Sequence, residues 1–338
     1  VGRSWRTSIG WRRRSAPARI DSPTFALTAP PTLASMPAHW RSSEVVTPAR
    51  KGTAVARLGV ITDEISEDFE HALAVCAELG IREVELRSVW NTSIVEHDDT
   101  SLARIEQLLD AGGFAVCSIA SPFLKCHIDS RRQGAAGPTH SARETPREQQ
   151  WEILTRSLEL ARRFNAPIVR AFSFWRVEDP ASVRDDILET LREATERTRD
   201  AGRLLGLENE HACNIATGQE AAWYLERIPD ATFGMIWDPG NEAAHGQAPF
   251  PDGYGAVRSR IHHVHLKDAV RLGEPVEFTV IGEGVIPYED QFRLLKEDGY
   301  LGAISLETHF SLDGSREAAT RACVAATRSI AARAGLLL

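Results

Sequence analysis

The sequence lacks several features that mark common protein classes. No G-x-G-x-x-G follows its first predicted strand and no G-x-x-x-x-G-K-[S/T] occurs, which argues against a dinucleotide site and a P-loop. It has no run of about 18 apolar residues, so no membrane span is expected. Its five cysteines show no C-x-x-C spacing, which argues against a zinc knuckle and a disulfide framework and favours a reducing, cytoplasmic location.

Negative charge is scarce in the first part of the chain. The 338 residues have a net charge of −8, but residues 1–57 hold 10 of the 39 Lys and Arg residues and only two of the 47 Asp and Glu residues. This first part is rich in Ser, Thr, Pro and Ala and has no sustained apolar periodicity. We therefore predict a disordered basic leader over 1–56 and a folded domain over 57–338. The acidic character of that domain argues against nucleic acid as a partner.

The leader has three interpretations. An Arg-rich, Ser-rich start with few acids resembles an organelle transit peptide, and a basic arm could contact nucleic acid. The interpretation we favour is an upstream translation start, with Met36 as the first native residue. On this last interpretation, residues 1–35 do not belong to the native protein.

From residue 58 onward, short β-branched runs alternate with amphipathic segments. The predicted strands are 58–62, 83–87, 115–120, 168–172, 204–210, 233–238, 261–267 and 303–307. The predicted helices are 68–79, 143–164, 181–201, 219–228, 288–297 and 316–334. Eight strands alternating with helices over about 280 residues predict an α/β fold, a closed (β/α)8 TIM barrel. A doubly wound open sheet is the alternative, and the missing glycine fingerprint disfavours it.

Ionisable residues follow four consecutive strands of this pattern. The runs are LENEH at 207–211, WDPGN at 237–241, HHVHLKD at 262–268 and SLETH at 305–309. Because the active sites of such barrels lie at the carboxyl ends of the strands, these side chains are expected to meet. The predicted ligand set for one divalent cation is Glu208, Asp238, His265 and Glu307. Three carboxylates and one imidazole suit Mn²⁺, Mg²⁺, Co²⁺ or Zn²⁺.

These runs, together with GEG at 282–284, resemble the xylose isomerase-like TIM barrel superfamily. The resemblance extends over about residues 58–338. It implies a metal-dependent sugar isomerase or epimerase in which Glu208 and Glu307 are both metal ligands and the catalytic acid/base pair. It also implies that Arg271 holds substrate oxygens. Asn241 stands where the ketose 3-epimerases have a histidine, and this difference puts the 3-epimerase reaction in doubt without affecting the metal.

Further residues near the strand ends are predicted to bind the substrate. Asn241, Glu210, His263 and Lys267 belong to the same runs as the metal ligands. Arg87 and Arg170 end or lie within predicted strands. They either bind an anionic substrate group or pair with Glu85 or neighbouring acids in the barrel wall.

Proton abstraction next to a carbonyl suits two carboxylates around one metal. The predicted function is therefore isomerisation or epimerisation of a small-molecule sugar or sugar derivative, by a protein that could form a homo-oligomer. Dehydration of an inosose or a related polyol ketone is the alternative, since it begins with the same step. A phosphodiesterase of the AP-endonuclease branch is a distant alternative, because that branch needs more histidines, including one at the position of Asn241.

Overall fold

The computed structural model describes residues 55–129 and 136–338. Nearly all of the predicted leader therefore lies outside the described residues. Ala56, the last residue assigned to the leader, is buried against the core. Within the described part of the chain, no helix combines the length and apolar character that a membrane crossing requires.

Eight parallel strands close into a barrel, which confirms the predicted fold. They are β1 (Arg57–Ile61), β2 (Glu83–Leu86), β3 (Ala115–Ile119), β4 (Ile168–Ala171), β5 (Leu204–Glu208), β6 (Phe233–Trp237), β7 (Ile261–Leu266) and β8 (Ala303–Leu306). Each strand pairs with its neighbours in the sequence, and β1 pairs with β8 to close the barrel. All eight predicted strands are present in the structure, although several predictions extend one or two residues too far at the carboxyl end.

Helices cover the outside of the barrel. They are α1 (Phe69–Glu78), α2 (Asp99–Gly112), α3 (Gln150–Arg163), α4 (Arg184–Asp200), α5 (Gly218–Arg227), α6 (Pro239–Ala244), α7 (Tyr254–Val257), α8 (Tyr288–Glu297) and α9 (Arg316–Ala334). Three of these, α2, α6 and α7, were not predicted. The sequence does carry end signals for α2: Asp98 caps its first turn by accepting a hydrogen bond from Ser101 N, and Gly113 ends it in the left-handed conformation.

The prediction of a helix from Arg143 was wrong at its start. Residues 143–146 form a loop, Arg147–Gln149 form a single 3₁₀ turn, and α3 begins only at Gln150. Pro146 has an extended backbone and lacks the amide that a continuing helix would need. The side chain of Gln150 then accepts a hydrogen bond from Leu124 N, which joins the start of α3 to the loop after β3.

Strands β2 (EVEL) and β7 (IHHVHL) carry ionisable residues within their lengths. Most residues of the other strands are apolar because helices cover one side of the barrel wall and the packed interior lies on the other. All five residues of β6 are buried, for example. Polar side chains are concentrated where the strands end. Asp238 directly follows β6, Lys267 directly follows β7, and Glu307 directly follows β8. The barrel therefore collects these groups at one mouth.

Close backbone packing joins α5 to the segment that leads into α7. A Cβ atom placed on Gly218 would lie 2.1 Å from the carbonyl oxygen of Gly253. The buried carboxyl of Glu242 contacts both places: its Oε2 accepts a hydrogen bond from Gly218 N (2.8 Å), whereas its Oε1 has no hydrogen-bond partner. This packing fixes α6, which follows Asp238 directly.

Replacing Gly218 by Ala is expected to lower the free energy of unfolding by about 1–3 kcal/mol, because the added methyl group meets backbone that cannot rotate away. Gly255→Ala is the matched control, since a Cβ there meets open space. Its effect should be neutral or stabilising by up to about 1 kcal/mol, as expected for Gly→Ala within a helix. Urea denaturation of both variants checks this, and equal stabilities would contradict it.

Glu242 should make stability depend on pH. Burial raises the pKa of its carboxyl to about 7, against the lowering effect of the hydrogen bond from Gly218. Because the folded-state pKa lies above the unfolded one, the stability that this group contributes is complete below its unfolded pKa and is lost as the pH rises towards 7. Glu242→Gln should therefore gain about 1–3 kcal/mol relative to the wild type between pH 5 and pH 8. A difference in unfolding free energy that stays constant across this range would contradict the prediction.

Candidate metal centre

Four side chains from four neighbouring strands converge inside the barrel mouth. Glu208, Asp238, His265 and Glu307 each offer one ligand atom, and these atoms all lie within 4.8 Å of one another. His265 Nδ1 is 3.4 Å from Glu307 Oε2, 3.6 Å from Glu208 Oε1 and 3.9 Å from Asp238 Oδ2. All four side chains are buried. The structure thus brings together the four residues that the sequence singled out as a ligand set.

The donor atoms of this group fit a divalent cation. His265 Nδ1, Asp238 Oδ2 and Glu307 Oε2 are buried and have no hydrogen-bond partner. Buried polar atoms are normally satisfied, so three orphaned atoms that face one another call for a further partner. Carboxylate oxygens with a single imidazole are donors that Mg²⁺, Mn²⁺, Co²⁺ and Zn²⁺ accept.

Lys267 supplies positive charge at the same place. Its Nζ lies 2.7 Å from Glu307 Oε2 and 3.0 Å from Asp238 Oδ2, although neither contact has the directionality of a hydrogen bond. Burial lowers the pKa of this ammonium, but the nearby carboxylates Asp238 and Glu307 outweigh it, and the net shift is upward. Lys267 is therefore a cation that partly neutralises the group.

Two buried arginines hold the two glutamates from the outside. Arg170 Nη1 donates to Glu208 Oε2 (2.9 Å), and Arg87 Nη1 donates to Glu307 Oε1 (2.7 Å). Each glutamate thus has one oxygen bound by an arginine and the other directed at the centre. Arg87 also donates to Asp63 Oδ2 (2.9 Å) and Glu64 Oε1 (2.5 Å). Both arginines pair with protein carboxylates, as in the barrel-wall interpretation, but their partners do not include Glu85.

These contacts set the protonation of the three carboxylates. Burial raises the pKa of Glu208, but Arg170 and His265 together outweigh it, and the net shift is downward. The pKa of Glu307 falls well below its ordinary value for the same reason, with Lys267 as the strongest opposing charge. Burial of Asp238 prevails over Lys267 and raises its pKa to about 6. Asp238 is therefore the least compensated carboxylate, and a bound cation would stabilise it most.

A hydrogen-bonded chain extends from Glu208 towards the outside of the mouth. Asn241 Nδ2 donates to Glu208 Oε1 (3.1 Å), and Asn241 Oδ1 lies 3.2 Å from His211 Nδ1. The same nitrogen of His211 is 2.8 Å from Glu210 Oε1, and Lys125 Nζ is 3.4 Å from Glu210 Oε2. Asn241 contacts Glu208 directly, and Glu210 lies further along the same chain of contacts; substrate binding by both residues stays a prediction. His211 and Lys125 complete the chain.

Two other predicted substrate-binding residues lie apart from this group. His263 is fully buried below the centre, and its Nε2 is 3.1 Å from Glu85 Oε2. Arg271 has a partly exposed side chain that donates to Glu277 Oε2 (2.9 Å) and to the carbonyl of Pro275 (3.0 Å). The role predicted for Glu85, as a partner of the arginines, does not match its contacts with histidine. The signal in the sequence that could have pointed to these histidine contacts was an acidic residue inside a buried strand.

Comparison with known proteins agrees with this architecture. The profile of the xylose isomerase-like TIM barrel family matches residues 73–329. An inosose dehydratase from Lacticaseibacillus casei is 25% identical over 149 residues, which are 38% of this chain and 50% of that protein. The chain thus spans about half the length of this curated relative.

Solved structures share the fold at low sequence identity. A xylose isomerase-like TIM barrel protein from Mycobacterium smegmatis, in complex with magnesium, has a TM-score of 0.63 at 20% identity over 83% of this chain and 96% of that one. The IOLI protein with a binding zinc atom has a TM-score of 0.64 at 16% identity over 82% and 98% of the two chains. An L-ribulose 3-epimerase has a TM-score of 0.61 at 19% identity over 83% and 96%. The chain belongs to the xylose isomerase-like TIM barrel family.

Proposed function

We propose that this protein is a divalent-metal-dependent isomerase or epimerase of a sugar or sugar derivative. The observation that carries the proposal is the pair Glu208 and Glu307, which approach one centre from two strands while an arginine holds the outer oxygen of each. Structural neighbours that are an L-ribulose 3-epimerase and a D-psicose 3-epimerase with D-tagatose, and others with magnesium or zinc, support the class of reaction.

In this proposal Glu208, Asp238, His265 and Glu307 hold the metal. A bound divalent ion supplies Lewis-acid polarisation of the substrate carbonyl, which acidifies the neighbouring C–H group. Arg170 beside Glu208 and Lys267 beside Glu307 are the strongest charges that lower the pKa values of these carboxyls, so each can accept a proton at neutral pH. One glutamate removes the proton from carbon. In epimerisation the other glutamate, after taking up a proton from a substrate hydroxyl or from solvent, would return it to the same carbon at the opposite face. In isomerisation the proton would be returned to the neighbouring carbon.

The remaining polar residues bind substrate hydroxyls in this proposal. Asn241 lies against Glu208, and Lys267 lies between Asp238 and Glu307, so both can donate hydrogen bonds to oxygens of a bound sugar. Glu210, with His211 and Lys125, offers an acceptor and donors further out. Burial of the site excludes water, which strengthens these contacts.

Dehydration of an inosose or a related polyol ketone is the second candidate. The observation that favours it is the sequence relative, an inosose dehydratase, which matches 38% of this chain. The first step would be the same proton abstraction, and the second glutamate would protonate a departing β-hydroxyl in place of carbon. Incubation with a panel of ketoses and inososes in the presence of Mn²⁺, followed by NMR, separates the two candidates, because loss of water creates a new carbon–carbon double bond.

Replacing a ligand should remove the metal. Asp238→Ala and His265→Ala each delete one of the four proposed protein ligands, so bound Mn²⁺ measured by mass spectrometry after dialysis should fall by at least about 10-fold. His262→Ala is the matched control, because that histidine lies on the same strand and does not belong to the ligand group. Normal metal content in both ligand variants would refute the assignment.

Replacing Glu208 or Glu307 by Gln should abolish turnover while part of the metal is retained, because an amide keeps an oxygen ligand but is not a base. The expected loss is about 10²–10⁴-fold in kcat, as is typical for general acid–base steps. One of the two variants should still exchange the substrate α-proton with solvent deuterium, since the first abstraction survives.

The measurement is deuterium wash-in followed by NMR at saturating metal. Glu283→Gln, at an exposed position, is the control and should behave as the wild type. Full activity of either site variant would leave that glutamate as a ligand only.

A further inference from the structure

We infer that Glu85 is the positioning residue of the metal centre: it binds His265 from below, so that Nδ1 of that imidazole faces the three carboxylates. This inference rests on the metal site of the proposed function. Neither Glu85 nor its strand contributes a ligand to the centre. Its effect therefore reaches the metal through His265.

Contacts in the barrel interior carry the inference. Glu85 lies in β2 and is fully buried. Its Oε2 lies 3.0 Å from His265 Nε2 and 3.1 Å from His263 Nε2, so a single carboxylate oxygen accepts from both imidazoles. In a neutral imidazole, which is the form that binds a metal, an Nε2 that carries the donated proton leaves Nδ1 as the acceptor. The free Nδ1 of His265 is the atom that points at Glu208, Asp238 and Glu307.

The buried carboxylate of Glu85 has no Lys or Arg partner among the described residues. Among the described residues its ion-pair partners are only the two histidines, and its second oxygen, Oε1, has no hydrogen-bond partner. A buried carboxylate without a Lys or Arg partner is costly, and apolar residues would fill a barrel interior with less penalty. A divalent cation on the far side of His265 would compensate this negative charge through the imidazole.

A carboxylate behind a metal-binding histidine also changes the ligand itself. It fixes which nitrogen carries the proton, restricts rotation of the ring and raises the basicity of the nitrogen that binds the metal. His263 lies two residues before His265 on the same strand and contacts the same oxygen, so it also restrains the carboxylate of Glu85. Substitution of Glu85 should therefore weaken metal binding even though all four ligands remain.

The first test compares Glu85→Gln with Glu83→Gln by calorimetric titration of the metal-free full chain with Mn²⁺ and with Zn²⁺. Glu83 is the matched control because it lies two residues away on the same strand and pairs with Arg57 instead of the histidines. Loss of Glu85 should raise the Kd about 10–100-fold, as is typical for such partners of metal-binding histidines. Glu83→Gln should leave it within about 2-fold of the wild type. Equal affinities of the wild type and Glu85→Gln would overturn the inference.

A second test needs no variant and stands if Glu85→Gln fails to fold. In the Zn²⁺-loaded wild-type protein, long-range ¹H–¹⁵N correlation identifies which nitrogen of His265 carries the proton. A protonated Nε2 with Nδ1 on the metal supports the inference. A protonated Nδ1, with Nε2 on the metal, overturns it.

Failure of this inference differs from failure of the proposed function. If Glu85→Gln weakens Mn²⁺ binding but the wild type converts no sugar or inosose, the positioning role stands and the proposed function fails. If the wild type binds neither Mn²⁺ nor Zn²⁺, both fail. If the wild type is active with Mn²⁺ and the variant binds the ion equally well, only the role of Glu85 is lost.

Discussion

Mutual neutralisation of buried charges at the barrel mouth is the constraint on which this site depends. Glu208, Asp238 and Glu307 each place a carboxylate oxygen within 4.8 Å of those of the other two, in a buried site where water cannot solvate them. Arg170 binds Glu208 and Arg87 binds Glu307, while Lys267 contacts both Asp238 and Glu307. Removing one member of such a set leaves an uncompensated buried charge, which costs roughly 3–5 kcal/mol.

The arrangement of these cations has a directional effect as well as an energetic one. Arg170 binds Oε2 of Glu208, and Arg87 binds Oε1 of Glu307, so the remaining oxygen of each glutamate is held towards the centre. A carboxylate held in this way stays ionised and keeps one oxygen pointing at the centre. A catalytic base requires both properties. The downward shift in the pKa of Glu307 also weakens it as a base. A metal that acidifies the substrate would offset this weakness, and so the proposed chemistry and the electrostatics are consistent.

The centre is supported from two sides. Below it, inside the barrel, Glu85 contacts His265 and His263. Above it, Asn241 links Glu208 to His211. Asn241 stands at the position where the ketose 3-epimerases have a histidine, and its amide can donate a hydrogen bond without changing charge near neutral pH. In the proposed function this difference bears on which substrate oxygen is recognised, whereas the four proposed ligands are unaffected.

The sequence by itself determined the barrel and the identity of the four converging residues. Eight alternating strands and helices have one closed parallel arrangement, and the carboxyl ends of its strands must meet at one mouth. Residues that directly end or follow β5, β6 and β8 could therefore be placed together without a structure.

The tertiary structure decided which cation or carboxylate partners each of these residues. Arg87 and Glu307 are separated by 220 positions and His265 and Glu85 by 180, so neither pairing can be read from local spacing. Periodicity also does not distinguish a residue such as His263, which faces the interior below the centre, from one that faces the substrate. The burial and the direction of each side chain are set only when the strands close into a barrel. Each buried charge is then paired with the partner that another strand brings within reach.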